Sequence, residues 1–77
     1  MKTYPKTKHP KRNRDLSGEK LELSVDVITF SESGMLNIGF YDYDDKEWDF
    51  HTNTMEDMDK ADFVWCYPPR QLIKHFK

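Results

Sequence analysis

The chain has 77 residues, of which 36% are hydrophobic, 34% are charged and 14% are aromatic, and its formal net charge is −2. This length excludes two domains and the aromatic content excludes a disordered chain, so we expect one small domain with a core built of rings. With a single cysteine, Cys66, an intramolecular disulfide is also excluded.

Charge is strongly segregated along the chain. Residues 1–18 carry six basic side chains against one acid, whereas residues 19–63 carry thirteen acids against three lysines. Residues 64–77 add three more basic side chains. We therefore expect a basic N-terminal arm over residues 1–18 and a single small domain over residues 19–77.

The same features give an expectation about location. The basic N-terminus lacks the apolar segment of a secretory signal, and no apolar run approaches the ~20 residues that span a bilayer. Cys66 lies in an apolar run and not in a paired-thiol motif, which fits a reducing compartment. We expect a cytoplasmic protein that does not contact a membrane.

The N-terminal arm shows no periodicity, few apolar side chains and two prolines, so we expect it to be poorly ordered. Its cations could neutralise phosphates without reading a base sequence, and the residues concerned are Lys6, Lys8, Lys11, Arg12 and Arg14. Nucleic-acid binding is therefore one hypothesis for function, although the acidic segment that follows would repel phosphates. The alternative is that the arm folds against its own acidic domain or serves solubility.

The first strand is predicted by strict alternation of apolar and polar residues from Leu21 to Val27. Ile28 and Phe30 continue the apolar character on the opposite parity. This change indicates either a β-bulge near Val27–Ile28 or a strand end that is covered on both faces.

Two further strands are predicted to complete an antiparallel meander. One runs from Met35 to Tyr43, with Leu36, Ile38 and Phe40 on its core face, and it follows a four-residue loop that ends in Gly34. A turn at residues 44–46 leads into the next strand, residues 47–52, which should place Trp48 and Phe50 on the same side as Phe40.

The C-terminal part adds a fourth predicted strand, Phe63 to Tyr67, which ends at two prolines. A short helix from Arg70 to Phe76 is predicted to follow, with Leu72, Ile73 and Phe76 as its apolar stripe. The predicted fold class is α+β: a small antiparallel three- to four-stranded β-meander with one short C-terminal helix and a basic, poorly ordered N-terminal arm.

The acidic hairpin at residues 39–51 is the strongest candidate site, and its carboxylates are Asp42, Asp44, Asp45, Glu47 and Asp49. A calcium loop of the EF-hand type is excluded because Lys46 and Glu47 stand where a ligand and a glycine are needed. The histidines lie at no ligand spacing from one another or from Cys66, so we expect no metal and no cofactor. Acid–base catalysis would need a carboxylate in an apolar pocket that raises its pKa, but Glu47 and Asp49 are predicted to point away from Trp48, so we expect no enzyme.

A resemblance to a known family is carried by the stretch Gly34 to Asp42, by Trp48, and by the Val64-Trp65 pair with Pro68 and Pro69 behind it. This pattern resembles a family of short proteins of unknown function from phages and bacterial genomes, whose members end in a tryptophan and proline signature after a β-meander. The resemblance covers about residues 34–69, and Cys66-Tyr67 with the segment that follows departs from the usual ending. It implies a small sheet-based domain from a phage or mobile-element setting, with no activity to carry over.

Together these features predict a small non-enzymatic binding or accessory protein whose partner is another macromolecule. In the first hypothesis, the acidic sheet face binds or inhibits a basic partner protein, where it would compete with nucleic acid for the same basic site. In the alternative, the basic arm binds nucleic acid.

Overall fold

The computed structural model describes residues 2–51 and 61–69. These residues form a single antiparallel sheet of seven strands that curls into a half-barrel, and they contain no helix. The strands are β1 (Tyr4–Pro5), β2 (Arg12–Arg14), β3 (Lys20–Ser24), β4 (Val27–Ser31), β5 (Leu36–Asp42), β6 (Glu47–Phe50) and β7 (Phe63–Cys66).

The predicted α+β class is wrong, because the described residues form an all-β fold. The predicted helix, Arg70 to Phe76, lies outside the described residues. The hairpins β4–β5 and β5–β6 follow the predicted order, but β7 pairs with β4 and not with β6. The sheet is therefore not a simple meander, since its last strand crosses back to the far edge of β4.

Strands β3 and β4 run as one bent strand along the same edge of β5. Leu23 is opposite Asp42 and Val27 is opposite Gly39, so this strand holds one residue more than its partner between the two pairs. The extra residue accounts for the change of apolar parity noted in the sequence, and it lies at Val25–Asp26, just before the predicted position. Such an irregularity increases the local bend, which helps the sheet to curl.

The N-terminal arm is also part of the sheet, which corrects the expectation that it is poorly ordered. Tyr4 pairs with Trp65 across β1 and β7, and Arg12 pairs with Ser24 across β2 and β3. The residues between these two strands cross the inner, concave face of the half-barrel. That face is aromatic, and burial of rings outweighs the polar composition that suggested disorder.

The core on the inner face is built of rings from distant parts of the chain. Trp65 is 1% exposed and stacks on Tyr4 with a centroid distance of 4.6 Å. Trp48 meets Phe63 edge to face at 5.1 Å, and Phe50 meets Phe63 in the same way at 5.8 Å. These offset and perpendicular arrangements are the ones that aromatic quadrupoles favour.

The arm seals this core by hydrogen bonds to both indole groups. Trp65 donates from its Nε1–H to the carbonyl oxygens of Pro5 at 3.0 Å and Lys8 at 2.7 Å. Trp48 donates from its Nε1–H to the carbonyl oxygen of Lys6 at 3.0 Å. A buried indole N–H without a partner costs ~1–3 kcal/mol, so the arm backbone stabilises the fold by supplying the acceptors for both indole groups.

A second group of contacts fixes the end of the arm. The ring of His9 stacks on Tyr41 with a centroid distance of 3.7 Å, and Pro10 is fully buried. Tyr43 donates a hydrogen bond from its hydroxyl to the carbonyl oxygen of Pro10. The arm therefore covers the core with a turn at residues 6–8, where the N–H of Lys8 donates to the carbonyl oxygen of Pro5 at 3.0 Å, and with the buried Pro10. Pro10 loses little entropy on ordering because its φ is already restricted.

Tyr43 is expected to make stability fall at alkaline pH. Loss of hydration on burial is the main cause that raises the pKa of Tyr43 above its usual value of 10.0, and the nearby Tyr67 and Tyr41 raise it further. Because the folded state favours the protonated phenol, this contribution is complete below pH 10 and is lost as pH rises through the raised pKa. In urea unfolding, the wild type should lose more stability between pH 8 and pH 11 than Tyr43→Phe, and equal losses would contradict this assignment.

The β5–β6 hairpin has a register different from the predicted one. Tyr41 is opposite Trp48 and Phe40 is opposite Asp49, because the turn spans residues 43–46 and not only 44–46. Lys46 adopts a positive φ of 57° to close this turn. A shift of one residue exchanges the two faces of a strand. The predicted grouping of Phe40 with Trp48 and Phe50 is therefore wrong, and Tyr41 takes the core position.

Gly39 on β5 is required because the ring of Phe50, its partner on β6, packs directly against it. A Cβ atom at this position would lie 2.8 Å from Cδ1 of the Phe50 ring and 3.0 Å from the carbonyl oxygen of Asp49. We expect Gly39→Ala to destabilise the fold by ~1–3 kcal/mol, as overpacking does in other cores. Denaturant unfolding should also show that Phe50→Leu costs less in the Gly39→Ala background than in the wild type. Additive losses would contradict the proposed clash.

Candidate protein-binding surface

The outer, convex face of the sheet carries a row of exposed apolar side chains. Strand alternation directs them away from the aromatic core, and four of them are well exposed: Phe30 by 47%, Leu36 by 66%, Ile38 by 42% and Val64 by 40%. We name the apolar patch by its residues Ile28, Phe30, Leu36, Ile38 and Val64, which lie on the adjacent strands β7, β4 and β5. Contiguous apolar surface of this kind marks interaction sites in small proteins.

A shallow groove crosses the apolar patch. It has a volume of about 350 Å³ and runs between Phe30, Leu36 and Val64, with Cys66 at its floor. Cys66 is a free thiol that is 7% exposed, so its sulfur contributes apolar surface to the groove. The groove can accept side chains of a partner but is too open to enclose a small ligand.

The predicted acidic residues lie at one end of the same face. Asp42 is opposite Glu47 and Phe40 is opposite Asp49, so these three carboxylates share the outer face with the Phe40 ring. Asp44 and Asp45 occupy the turn that joins the two strands. We name the acidic end by the full set that the structure brings together: Asp42, Asp44, Asp45, Glu47 and Asp49.

Two members of the acidic end also have local structural tasks. Asp42 accepts hydrogen bonds from the backbone N–H groups of Asp44 at 2.9 Å and Asp45 at 3.1 Å, which holds the turn. Asp49 accepts from the N–H of Phe50 at 2.9 Å. Charge reversal at Asp42 would therefore disturb the hairpin, whereas Asp45 and Glu47 are exposed and suit experiments on binding.

Carboxylates also stand at the other end of the apolar patch. Glu32 and Asp62 are both exposed there, and the N–H of Glu32 donates to the carbonyl oxygen of Asp62 at 3.1 Å. Along the side of the face, Asp26 contacts Nε2 of His51 at 2.8 Å. The apolar patch is thus uncharged in its centre and acidic at both ends.

The predicted nucleic-acid residues are largely engaged in the fold. Lys6 donates from Nζ to the carbonyl oxygen of Ala61 at 2.8 Å. Arg12 donates to the carbonyl oxygen of Leu21 and forms an ion pair with Glu22, both at 2.7 Å. These two cations therefore tie the arm to the domain that follows.

The other three arm cations are exposed but also contact their own chain. Lys8 lies over the ring of Tyr4 at 4.7 Å, and Lys11 lies over the ring of Tyr67 at 5.8 Å. Arg14 donates to a carbonyl oxygen in the β2–β3 turn at 2.7 Å. These contacts support the alternative that the arm folds against its own domain, and nucleic-acid binding stays a prediction of the sequence.

Within the described part of the chain, the pKa is clearly shifted for Asp15 and Tyr43, and both shifts have structural causes. The hydroxyl of Ser17 and then the N–H of Glu19 donate to the Asp15 carboxylate and lower its pKa, which stabilises the β2–β3 turn. Tyr43 belongs to the seal between arm and core. Neither group lies on the outer face.

Over residues 2–51 and 61–69, no three histidine, cysteine, aspartate or glutamate side chains come together as a possible metal site. The same residues include no helix with the length and hydropathy needed to cross a membrane.

Sequence reasoning located the acidic end but missed the apolar patch. It assigned Leu36, Ile38 and Phe40 to the core, whereas the structure exposes Leu36 and Ile38 on the outer face. A usable signal was present in β7, where Phe63 and Trp65 share one parity and the smaller Val64 and Cys66 share the other. The side with the larger rings is the better candidate for the core.

Comparisons with known proteins give no relative: no family model, no curated protein and no solved structure matches the chain. The resemblance to a phage and bacterial family over residues 34–69 therefore stays a prediction.

Proposed function

We propose that the protein is a non-enzymatic binding protein whose outer sheet face holds a basic partner protein. The observation that carries this proposal is the exposed apolar patch, which adjoins carboxylates at both of its ends. A partner with apolar side chains flanked by lysines or arginines would remove the patch from water and neutralise the acids. No catalytic residue is needed for this role.

The two parts of the face would contribute differently to binding. Burial of the apolar patch supplies affinity at ~25 cal/mol per Å² of apolar surface removed from water. The carboxylates would mainly raise the rate of encounter and select basic partners, since exposed ion pairs contribute only ~0.2–1 kcal/mol each. Binding should therefore weaken at high salt without being lost.

The proposed role is that of an accessory or inhibitory protein in the cytoplasm. A partner surface that is basic enough to fit the acidic end is also a surface that could hold nucleic acid. Occupation by this protein would then compete with nucleic acid for that surface. The expected phage or mobile-element setting is compatible with an inhibitor of this kind.

Charge reversal tests the proposed function. We expect Asp45→Lys combined with Glu47→Lys to weaken binding of the basic partner captured from the native host by about tenfold, because two attractions become repulsions. Titration of the purified partner by calorimetry at low and high salt measures the change. The matched control is Glu19→Lys, which alters charge in the β2–β3 turn, away from the outer face. Unchanged affinity in the double variant would contradict the proposal.

A further inference from the structure

Resting on the proposed function, we infer that the partner segment is an amphipathic helix with an apolar stripe in its middle and basic residues at both ends. This helix would lie along the strands over the apolar patch. The width, the length and the charge pattern of the outer face all fit such a helix.

The width of the apolar patch matches one helix. Its side chains come from three adjacent strands, β7, β4 and β5, in which Phe30 is opposite both Val64 and Leu36. Neighbouring strands are ~4.8 Å apart, so the patch is ~10 Å wide. An α-helix with its side chains has a diameter of ~10–12 Å.

The length of the face sets the length of the helix. From Leu36 to Asp42, strand β5 advances six residues, which at ~3.4 Å per residue is ~20 Å. A helix rises ~1.5 Å per residue, so ~14 residues would cover this distance. Four turns can place apolar residues on one stripe at spacings of three and four, as helix-in-groove recognition requires.

The charge pattern sets where the basic residues stand. Glu32 and Asp62 lie beyond one end of the patch. Beyond the other end Asp42 follows on β5, and Glu47 and Asp49 stand beside this part of β5 on strand β6. The patch between them contains no charged side chain. Lysines or arginines near both ends of the helix would therefore meet carboxylates, whereas basic residues in its middle would be placed over apolar surface at a cost in hydration.

An extended partner strand would fit this surface less well. Strand addition uses the unpaired backbone groups of a sheet edge, but the patch consists of side chains on the face of three strands whose backbones pair with one another. Side chains on a sheet face are the ones that pack against helices in layered folds.

The test uses two synthetic peptides of the same leucine and lysine composition and ~14 residues, the length derived from the helical rise. One places leucines at helical spacing with lysines toward both ends, and the other is scrambled to remove the periodicity. We expect the full-length protein to bind the patterned peptide at least ~10-fold more tightly, a difference of ~1.4 kcal/mol. Circular dichroism should show that this peptide gains helicity when it binds.

Two variants locate the binding. Leu36→Ser removes an exposed side chain from the patch, so it should weaken binding of the patterned peptide ~10-fold without lowering thermal stability. Leu16→Ser is the matched control, because Leu16 is fully exposed in the β2–β3 turn. Equal weakening by both variants, or by neither, would overturn the assignment to the patch.

The outcomes separate this inference from the proposed function. If both peptides bind equally and Glu47→Lys weakens both, the helix is overturned while the acidic binding face stands. If neither peptide binds, the proposed function is overturned as well.

Two other occupants of the patch are distinguished by further measurements. Self-association of the wild type that Leu36→Ser abolishes in sedimentation would assign the patch to a second copy. Residues 70–77 contain three basic and three large apolar side chains, so they could compete for the same surface. Tighter peptide binding by full-length Ile73→Ser/Phe76→Ser would assign the patch to that segment, and unchanged binding supports an external helix.

Discussion

Removal of residues 1–11 is expected to abolish cooperative folding. The truncation would expose Trp65, which is now 1% exposed, and would leave the indole N–H groups of Trp48 and Trp65 without the carbonyl oxygens that accept from them. Each lost hydrogen bond to a buried donor costs ~1–3 kcal/mol. Since a domain of this size has only ~3–5 kcal/mol of net stability, the losses exceed what it can tolerate.

Thermal unfolding followed by near-ultraviolet circular dichroism measures this effect. The truncated chain should lack the sigmoidal transition and the aromatic signal of the wild type. The matched control is Lys8→Ala/Lys11→Ala, which removes two cations but keeps the backbone groups that contact Trp65 and Tyr67. This control should fold, and a truncated chain that melts cooperatively near the wild-type temperature would contradict a structural role for the arm.

Nucleic-acid binding by the arm needs a test in a variant that keeps the fold. Deletion of the arm would remove binding and folding together, so loss of a retarded band in that variant would not identify the arm as the binding element. The Lys8→Ala/Lys11→Ala variant avoids the problem, because it keeps the fold and lowers only the charge. If the alternative hypothesis holds, this variant should bind nucleic acid more weakly, with a smaller dependence on salt.

Trp65→Ala is expected to be the most destabilising single substitution, at ~3–5 kcal/mol, because the largest fully buried side chain of the described core leaves a cavity. The substitution also removes the stack on Tyr4 and the donor to Pro5 and Lys8. Since the loss is comparable with the whole net stability of so small a domain, we expect a largely unfolded protein.

A milder variant separates the contributions of the Trp65 ring. Trp65→Phe keeps an aromatic side chain in the core but removes the N–H donor, which leaves the carbonyl oxygens of Pro5 and Lys8 to find water. We expect it to fold with a loss of ~1–2 kcal/mol in urea unfolding. A folded Trp65→Ala protein with near wild-type stability would show that the arm and the ring do not form one core.

The strands of the central sheet were predictable from local sequence, whereas their faces were not. Alternation and turn residues correctly located the strands that became β5, β6 and β7. The face assignment depended on whether the hairpin turn begins at Tyr43 or at Asp44, and a difference of one residue moved Phe40 out of the core and Tyr41 into it. Lys46 closes the turn with a positive φ, which the local sequence of the turn does not predict.

The arm could not be predicted because its order depends on distant contacts. Tyr4 pairs with Trp65 across sixty-one positions of sequence, and strand β1 has two residues, too few to show any alternation. Its basic and proline-rich composition is typical of disorder in isolation. Burial of rings supplied by residues 41–67 provides the free energy that orders it, and this term is visible only in the assembled fold.

The candidate site also has one part that was predicted from local sequence and one part that was not. The acidic end could be predicted because a tight turn brings Asp42, Asp45 and Glu47 together whichever face they occupy. The apolar patch was missed, because the same one-residue shift had assigned Leu36 and Ile38 to the core and the large rings on one side of β7 were not used to choose the core face. The wrong face assignment in the β5–β6 hairpin and the missed apolar patch share a cause, the residue at which the turn begins. In the structure, the apolar patch and the acidic end lie on the same outer face.

The central claim is that the outer face of the sheet is the binding surface, and an NMR titration of the full-length protein tests it most directly. With the patterned leucine and lysine peptide as the probe, backbone amide shifts should change most at Leu36, Ile38, Glu47 and Val64. The indole N–H signal of Trp65, under the arm, should stay unchanged. Largest changes in residues 4–11, or small changes spread evenly over the sheet, would contradict the claim.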